Sequence, residues 1–297
     1  MADYSHLMGW YENQAEVEKT LSTMSKPYFC DYKDGIKGSG KGKKRLLHNY
    51  VVQVLGRYNV RTQAIGDCVS FAFAGGVDVV KCVQSVLGSY GEWVAETCTE
   101  YTYGTSRVEI GGGQLGNGDG SNGSWAAAAL EKYGSLVRIK YGNTDLTEYS
   151  GQRAKNWGYR GVPDELEPIG KEHCIRTTSL VTTYEDACDL IYNGYPIAVC
   201  SNQGFSSVRD KNGFARPQGS WSHCMLVHGS DDSFSEPGVL IQNSWGVFNS
   251  GPKREDQPDG SFWCNAQTFQ SMLNGQDSFA LSNFDDYPPQ DLDLRPF

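Results

Sequence analysis

Positive charge is in short supply: 26 Lys and Arg stand against 35 Asp and Glu, a formal net charge of −9. Binding a nucleic-acid backbone rests on a cationic footprint, so no nucleic acid is expected as a general partner. Long apolar runs are also missing. No stretch approaches the roughly 20 residues a helix needs to cross a bilayer, and no membrane partner is expected. The opening residues, MADYSHLMGWYENQAEVEKTL, lack a cationic segment followed by an apolar one, so no secretory signal is read there. The nine cysteines are odd in number and contain no CxxC pair. They read as reduced thiols of a reducing compartment, cytoplasmic or within a virus particle. Paired zinc-ligand spacing is absent, so no metal and no other cofactor is expected. No internal repeat is visible.

What the chain does have is size and glycine. Its 297 residues suffice for one large domain or two lobes. With 39% hydrophobic residues, 35 glycines and 12% aromatics, it reads as a loop-rich α+β protein. Helical patterns fall mainly in the first half: residues 11–24, 68–86 and 124–134, the last with Ser124 as candidate N-cap and Gly134 past its end. A further helix fits TYEDACDLIYNG, where Thr182 and Glu185 have capping-box spacing. Beyond it, YPIAVCS, HCMLVHG, GVLIQNSW and GSFWCN read as short strands.

Two stretches invite over-reading. DGIKGSGKGKKRLL (34–47) places Gly35, Gly40 and Lys41 at phosphate-loop spacing, but Gly42 stands where a Mg²⁺-holding Ser or Thr belongs. A mobile basic connector is expected there, with nucleotide binding as the competing idea. GGGQLGNGDGSNG (111–123) must be loop; its Asp119 and Asn122 suggest calcium only weakly, because no glutamate closes the loop.

The informative stretch is TQAIGDCVSFAFAGG, where Cys68 opens a helical pattern. A thiol at a helix N-terminus beside a histidine can be held as thiolate. Of five histidines, His6 lies in the terminus, His48 in a mixed stretch and His173 among charged residues. His223 and His228 flank CMLV, and a spacing of five puts them on opposite strand faces. His228 reads as a turn residue, which favours His223 as the base. Asn243 could fix the histidine tautomer, with Trp245 shielding that bond. Gln63 could donate to an oxyanion beside the Cys68 N–H.

Gln63 ahead of GDCVSFAFA, NGSWAAAALEKYG, SHCMLVHG and IQNSWG followed by DGSFW occur in the order of the papain-like cysteine peptidases, which the chain resembles over about residues 50–283. Cys68 and His223 are 155 residues apart, slightly more than the usual interval. The resemblance implies a papain-like two-lobed α+β fold, with a helical lobe (48–180), a β-rich lobe (181–283) and a cleft between them. It also implies hydrolysis of peptide or isopeptide bonds through Cys68, His223 and Asn243, with Gln63 at the oxyanion. Asn122, Gly123, Ser124 and Trp245 would then border a peptide or protein substrate, with backbone at Asn122 and Gly123 pairing with it. Ile65 replaces the family's earlier cysteine, Val69 replaces its aromatic, and Gln63 is one residue nearer the thiol. These departures are similar to a divergent microbial or bacteriophage branch.

Residues 1–47 are expected to form an extension and linker, too short for the common inhibitory prosegment, and 284–297 an acidic, proline-rich tail. Both ends could lie on protein partners. They keep open a second reading, a catalytically silent scaffold in an assembly such as a virion.

Overall fold

The structure is a computed structural model that describes residues 3–88, 93–255 and 257–292. Its helices are α1 (Gln14–Leu21), α2 (His48–Leu55), α3 (Cys68–Val86), α4 (Thr99–Gly104), α5 (Gly123–Lys132), α6 (Gly151–Arg160), α7 (Glu167–Lys171), α8 (Tyr184–Tyr192) and α9 (Ala266–Leu273). The strands are β1 (Lys44–Leu46), β2 (Lys140–Tyr141), β3 (Thr144–Asp145), β4 (Thr177–Leu180), β5 (Ile197–Arg209), β6 (Ala215–Asp231), β7 (Gly238–Gln242), β8 (Ser261–Asn265) and β9 (Phe279–Ser282). Seven of them form one antiparallel sheet in the order β4-β9-β5-β6-β7-β8, with β1 added along β6. The expected segregation of helices and strands is found.

α3 is the hub. It is mostly apolar and buried from Cys68 to Gln84, and its buried polar residues are partnered: Asp78 pairs with Arg61 and accepts from Thr97, and Lys81 Nζ donates to Asn283. Among the described residues it alone is long and apolar enough to cross a membrane, and here it fills the core between helices and sheet. Gly75 and Gly76 let it sit close: a Cβ on either would crowd Leu226 of β6 or Leu281 of β9. This contact aims the N-terminus of α3, and so Cys68, at the middle of β6.

Some local expectations are corrected. The N-cap of α5 is Asn122, whose side chain accepts from Ser124 N–H, and that of α8 is Thr183. The stretch 34–47 is no loose connector: Gly38 and Gly40 N–H donate to the Asp189 carboxylate at 2.7 and 2.8 Å, and β1 follows. A loop that could have cradled phosphate is committed to a carboxylate of its own chain. His228 is no turn residue; it is fully buried in β6, its ring stacked on Tyr58 and edge-on to His48. His173 is half-buried against Trp93. The C-terminal segment packs on its own chain through residue 292. Tyr287 is wedged against Phe29 and Tyr195, and the Leu292 carbonyl accepts from Arg45.

Candidate active site

Cys68 is the first residue of α3 and is fully buried. Its sulfur faces the backbone N–H groups of Cys224 and Gly9. The first of these places β6, the strand that carries His223, beside the thiol, although no hydrogen bond joins the sulfur to His223 Nδ1. The second is a residue of the N-terminal segment. Burial is the main cause that pushes the Cys68 pKa well above the ordinary thiol value.

His223 Nε2 lies 2.9 Å from Asn243 Oδ1. Asn243 follows directly on β7, whose pairing with β6 aligns Leu226 with Gln242. The Trp245 ring covers the imidazole at 4.5 Å between centroids. Nδ1 is buried and has no hydrogen-bond partner. Burial lowers the His223 pKa to about 4, against the raising effect of the Asn243 bond. Thiol and imidazole are therefore both neutral near pH 7.

Gln63 is tied to the same corner. Its N–H donates to Ser244 carbonyl at 2.9 Å, and its Oε1 accepts from Ser244 Oγ at 2.6 Å. Its Nε2 donates to the carbonyls of Leu7 and Ile65 at 2.8 and 2.7 Å. Gln63, Cys68, His223, Asn243 and Trp245 thus converge on one place.

That place is occupied by the chain itself. Residues 8–12 run across the sulfur in extended conformation, after a single 3-10 turn at Ser5–Leu7. Gly9 and Trp10 N–H both donate to Ser222 carbonyl at 3.1 Å. Tyr11 N–H donates to Ser121 carbonyl, and Ser121 N–H to Gly9 carbonyl, each at 2.8 Å. Asn122 Nδ2 donates to Tyr11 carbonyl at 3.1 Å, and Tyr4 stacks on Trp245 at 4.8 Å. The Trp10 indole, 4% exposed, donates to the Asp277 carboxylate at 2.7 Å. Asp277 also accepts from Gly123 and Ser124 N–H at 2.7 Å each. Burial raises its pKa to about 7, against these three bonds.

Two expectations change here. The backbone that pairs with the extended segment is that of Ser121, one residue before Asn122; the Gly123 and Ser124 amides serve Asp277 instead. The leading residues, though few, do block the cleft. Arg107 makes this local geometry firm, because its guanidinium clasps the carbonyls of Gly116, Gly118, Gly120 and Gly158 at 2.6–2.9 Å and holds the glycine loop in place. Asp277 was missed from the sequence, where it is one more acid before a strand.

No family model and no curated protein matches the chain. Solved structures do. Xylellain, a cysteine protease from Xylella fastidiosa, is 17% identical, with 95% of this chain and 93% of that one aligned at a TM-score of 0.53. Procathepsin B S9 from Trypanosoma congolense is 11% identical, with 93% and 86% aligned at 0.55. The stem bromelain precursor is 11% identical, with 94% and 77% aligned at 0.56. The fold is papain-like.

Proposed function

We propose that this chain is a papain-like thiol peptidase, latent because its own N-terminal strand fills the cleft. The observation that carries the reading is this strand, a polypeptide held by its backbone over a cysteine, an imidazole and a carboxamide. A groove that grips Gly9, Trp10 and Tyr11 through Ser121 and Ser222 is suited to an extended peptide.

With the strand displaced, Gly9 N–H leaves the sulfur and water reaches His223. The water that enters removes part of the burial that keeps the pair neutral, which outweighs the loss of the Gly9 N–H that favours the thiolate, and proton transfer from Cys68 to His223 Nδ1 becomes favourable. The thiolate attacks the acyl carbon of the substrate. The Cys68 N–H and Gln63 Nε2, which now donates to the Leu7 carbonyl, would hold the developing oxyanion. Imidazolium His223 protonates the leaving amine, and water activated by neutral His223 releases the acyl group. Asn243 is the positioning residue that keeps Nε2 turned away from the thiol.

The test is labelling by an epoxysuccinyl peptide of the native chain and of Gly9→Ala. A Cβ on Gly9 has no room against the Gly66 carbonyl, so that variant must lift the strand. Slow labelling of the native chain and rapid labelling of the variant, at Cys68 ahead of the other eight thiols, is expected. Labelling spread across the cysteines in both would refute the assignment.

A further inference from the structure

Directly beneath the cleft, β5 and β6 bring two more cysteines face to face. Cys200 and Cys224 are partners in the strand register, both fully buried, with their sulfurs 2.8 Å apart. Their backbone groups do not bond to each other. Cys200 N–H donates to Ser278 Oγ at 3.2 Å, and Cys224 N–H points at the Cys68 sulfur. Residues that turn their amides away from each other form the non-hydrogen-bonded kind of antiparallel pair, whose Cα atoms lie about 4.5 Å apart. That separation falls inside the range of about 4.4–6.8 Å that a disulfide spans without moving the backbone. We propose that Cys200 and Cys224 are an oxidative modification site, a dithiol that closes to a cross-strand disulfide in the floor of the cleft.

Position supplies the access route. Cys200 lies in electrostatic reach of both Cys68 and Asp277, the two groups the N-terminal strand covers through Gly9 and Trp10. A Cβ on Gly275 would meet both the Trp10 ring and the Cys200 carbonyl at 3.3 Å, so the indole lies near the backbone of Cys200. While the strand is seated, the thiols are sealed; when it lifts, they are open to a small oxidant. The reaction forms one S–S bond and releases two thiol protons and two electrons, which reduce the N=N bond of a diazene oxidant to a hydrazine. A disulfide here sits one residue from His223 and at the amide that faces Cys68. Oxidation therefore reports on, and acts beside, the reactive pair without consuming it.

The experiment treats the full chain and Trp10→Ala with diamide, alkylates remaining thiols after denaturation and maps peptides without reduction. A Cys200–Cys224 crosslink, two mass units below the dithiol, is expected as the main product. Trp10→Ala should accelerate it by about 100-fold or more, the factor for losing the whole buried indole from the seated strand. Cys200→Ser should abolish the crosslink, whereas Cys82→Ser, altered elsewhere in α3, should keep it. Recovery of both cysteines alkylated in the native chain and Trp10→Ala, or crosslinks that join other pairs in preference, would overturn the proposal.

Discussion

Trp10→Ala probes the latch directly. The side chain is 4% exposed and its indole donates to a buried carboxylate. Truncating a buried Trp to Ala costs about 3–5 kcal/mol. If that energy belongs to the seated strand, the open population rises by about 10²- to 4 × 10³-fold, since each 1.4 kcal/mol is a factor of ten. Trp10→Phe keeps most of the apolar ring and loses the donor, which is worth about 1.5–3 kcal/mol and an increase of about 10- to 100-fold. The assay is the rate of iodoacetamide alkylation of native protein, read at each cysteine by mass spectrometry. The Cys68 rate should rise in the order native, Trp10→Phe, Trp10→Ala, while Cys82 stays slow. A Cys68 rate within twofold of native in a folded Trp10→Ala protein would refute the latch. A parallel rise at Cys82 would show general loosening instead.

Two buried groups give opposite pH dependences. Asp277 has its pKa raised to about 7, so the folded state holds its proton where the unfolded chain has lost it. Its contribution is present at low pH and is lost as pH rises from about 4 through 7. His223 has its pKa lowered to about 4, so its contribution is present above about 6.5 and is lost as pH falls toward 4. Urea midpoints across pH 4–8 should therefore show Asp277→Asn losing less stability than native as pH rises, and His223→Gln losing less as pH falls. Parallel curves for native and variant would contradict either assignment. Asn243→Ala, which removes the partner of His223 Nε2, should lower turnover of a strand-lifted variant by about 10- to 100-fold through loss of one buried hydrogen bond. It should also change the pH profile of Cys68 alkylation; an unchanged profile would make Asn243 only a packing residue.

The sequence carried the scaffold because its strongest signals are local. Cys68 at the head of an apolar helix, the glycine loop before α5, and the strands around His223 and Asn243 each reflect short-range patterning that the fold keeps. What stayed hidden depends on distant segments meeting. Nothing near Trp10 or Gly9 in the chain shows that they lie on Ser121, Ser222 and Asp277, hundreds of residues apart for the last. The basic stretch 34–47 misled for a related reason. Its composition suits a solvated linker, yet Asp189 on α8 supplies an acceptor for the Gly38 and Gly40 amides and folds it down. The Cys200–Cys224 pairing likewise needs the β5–β6 register, which no spacing rule supplies.

The chemistry itself is tested by trapping the acyl group. Full-length Trp10→Ala is mixed with activated peptidyl esters, and intact mass and peptide mapping follow the adduct over time. A transient acyl adduct on Cys68 that decays with release of the acid is expected, absent from the Cys68→Ser and His223→Ala versions of the same protein. An adduct that forms elsewhere, or a folded, strand-lifted protein whose Cys68 alkylates freely yet never acquires an acyl group, would contradict that chemistry.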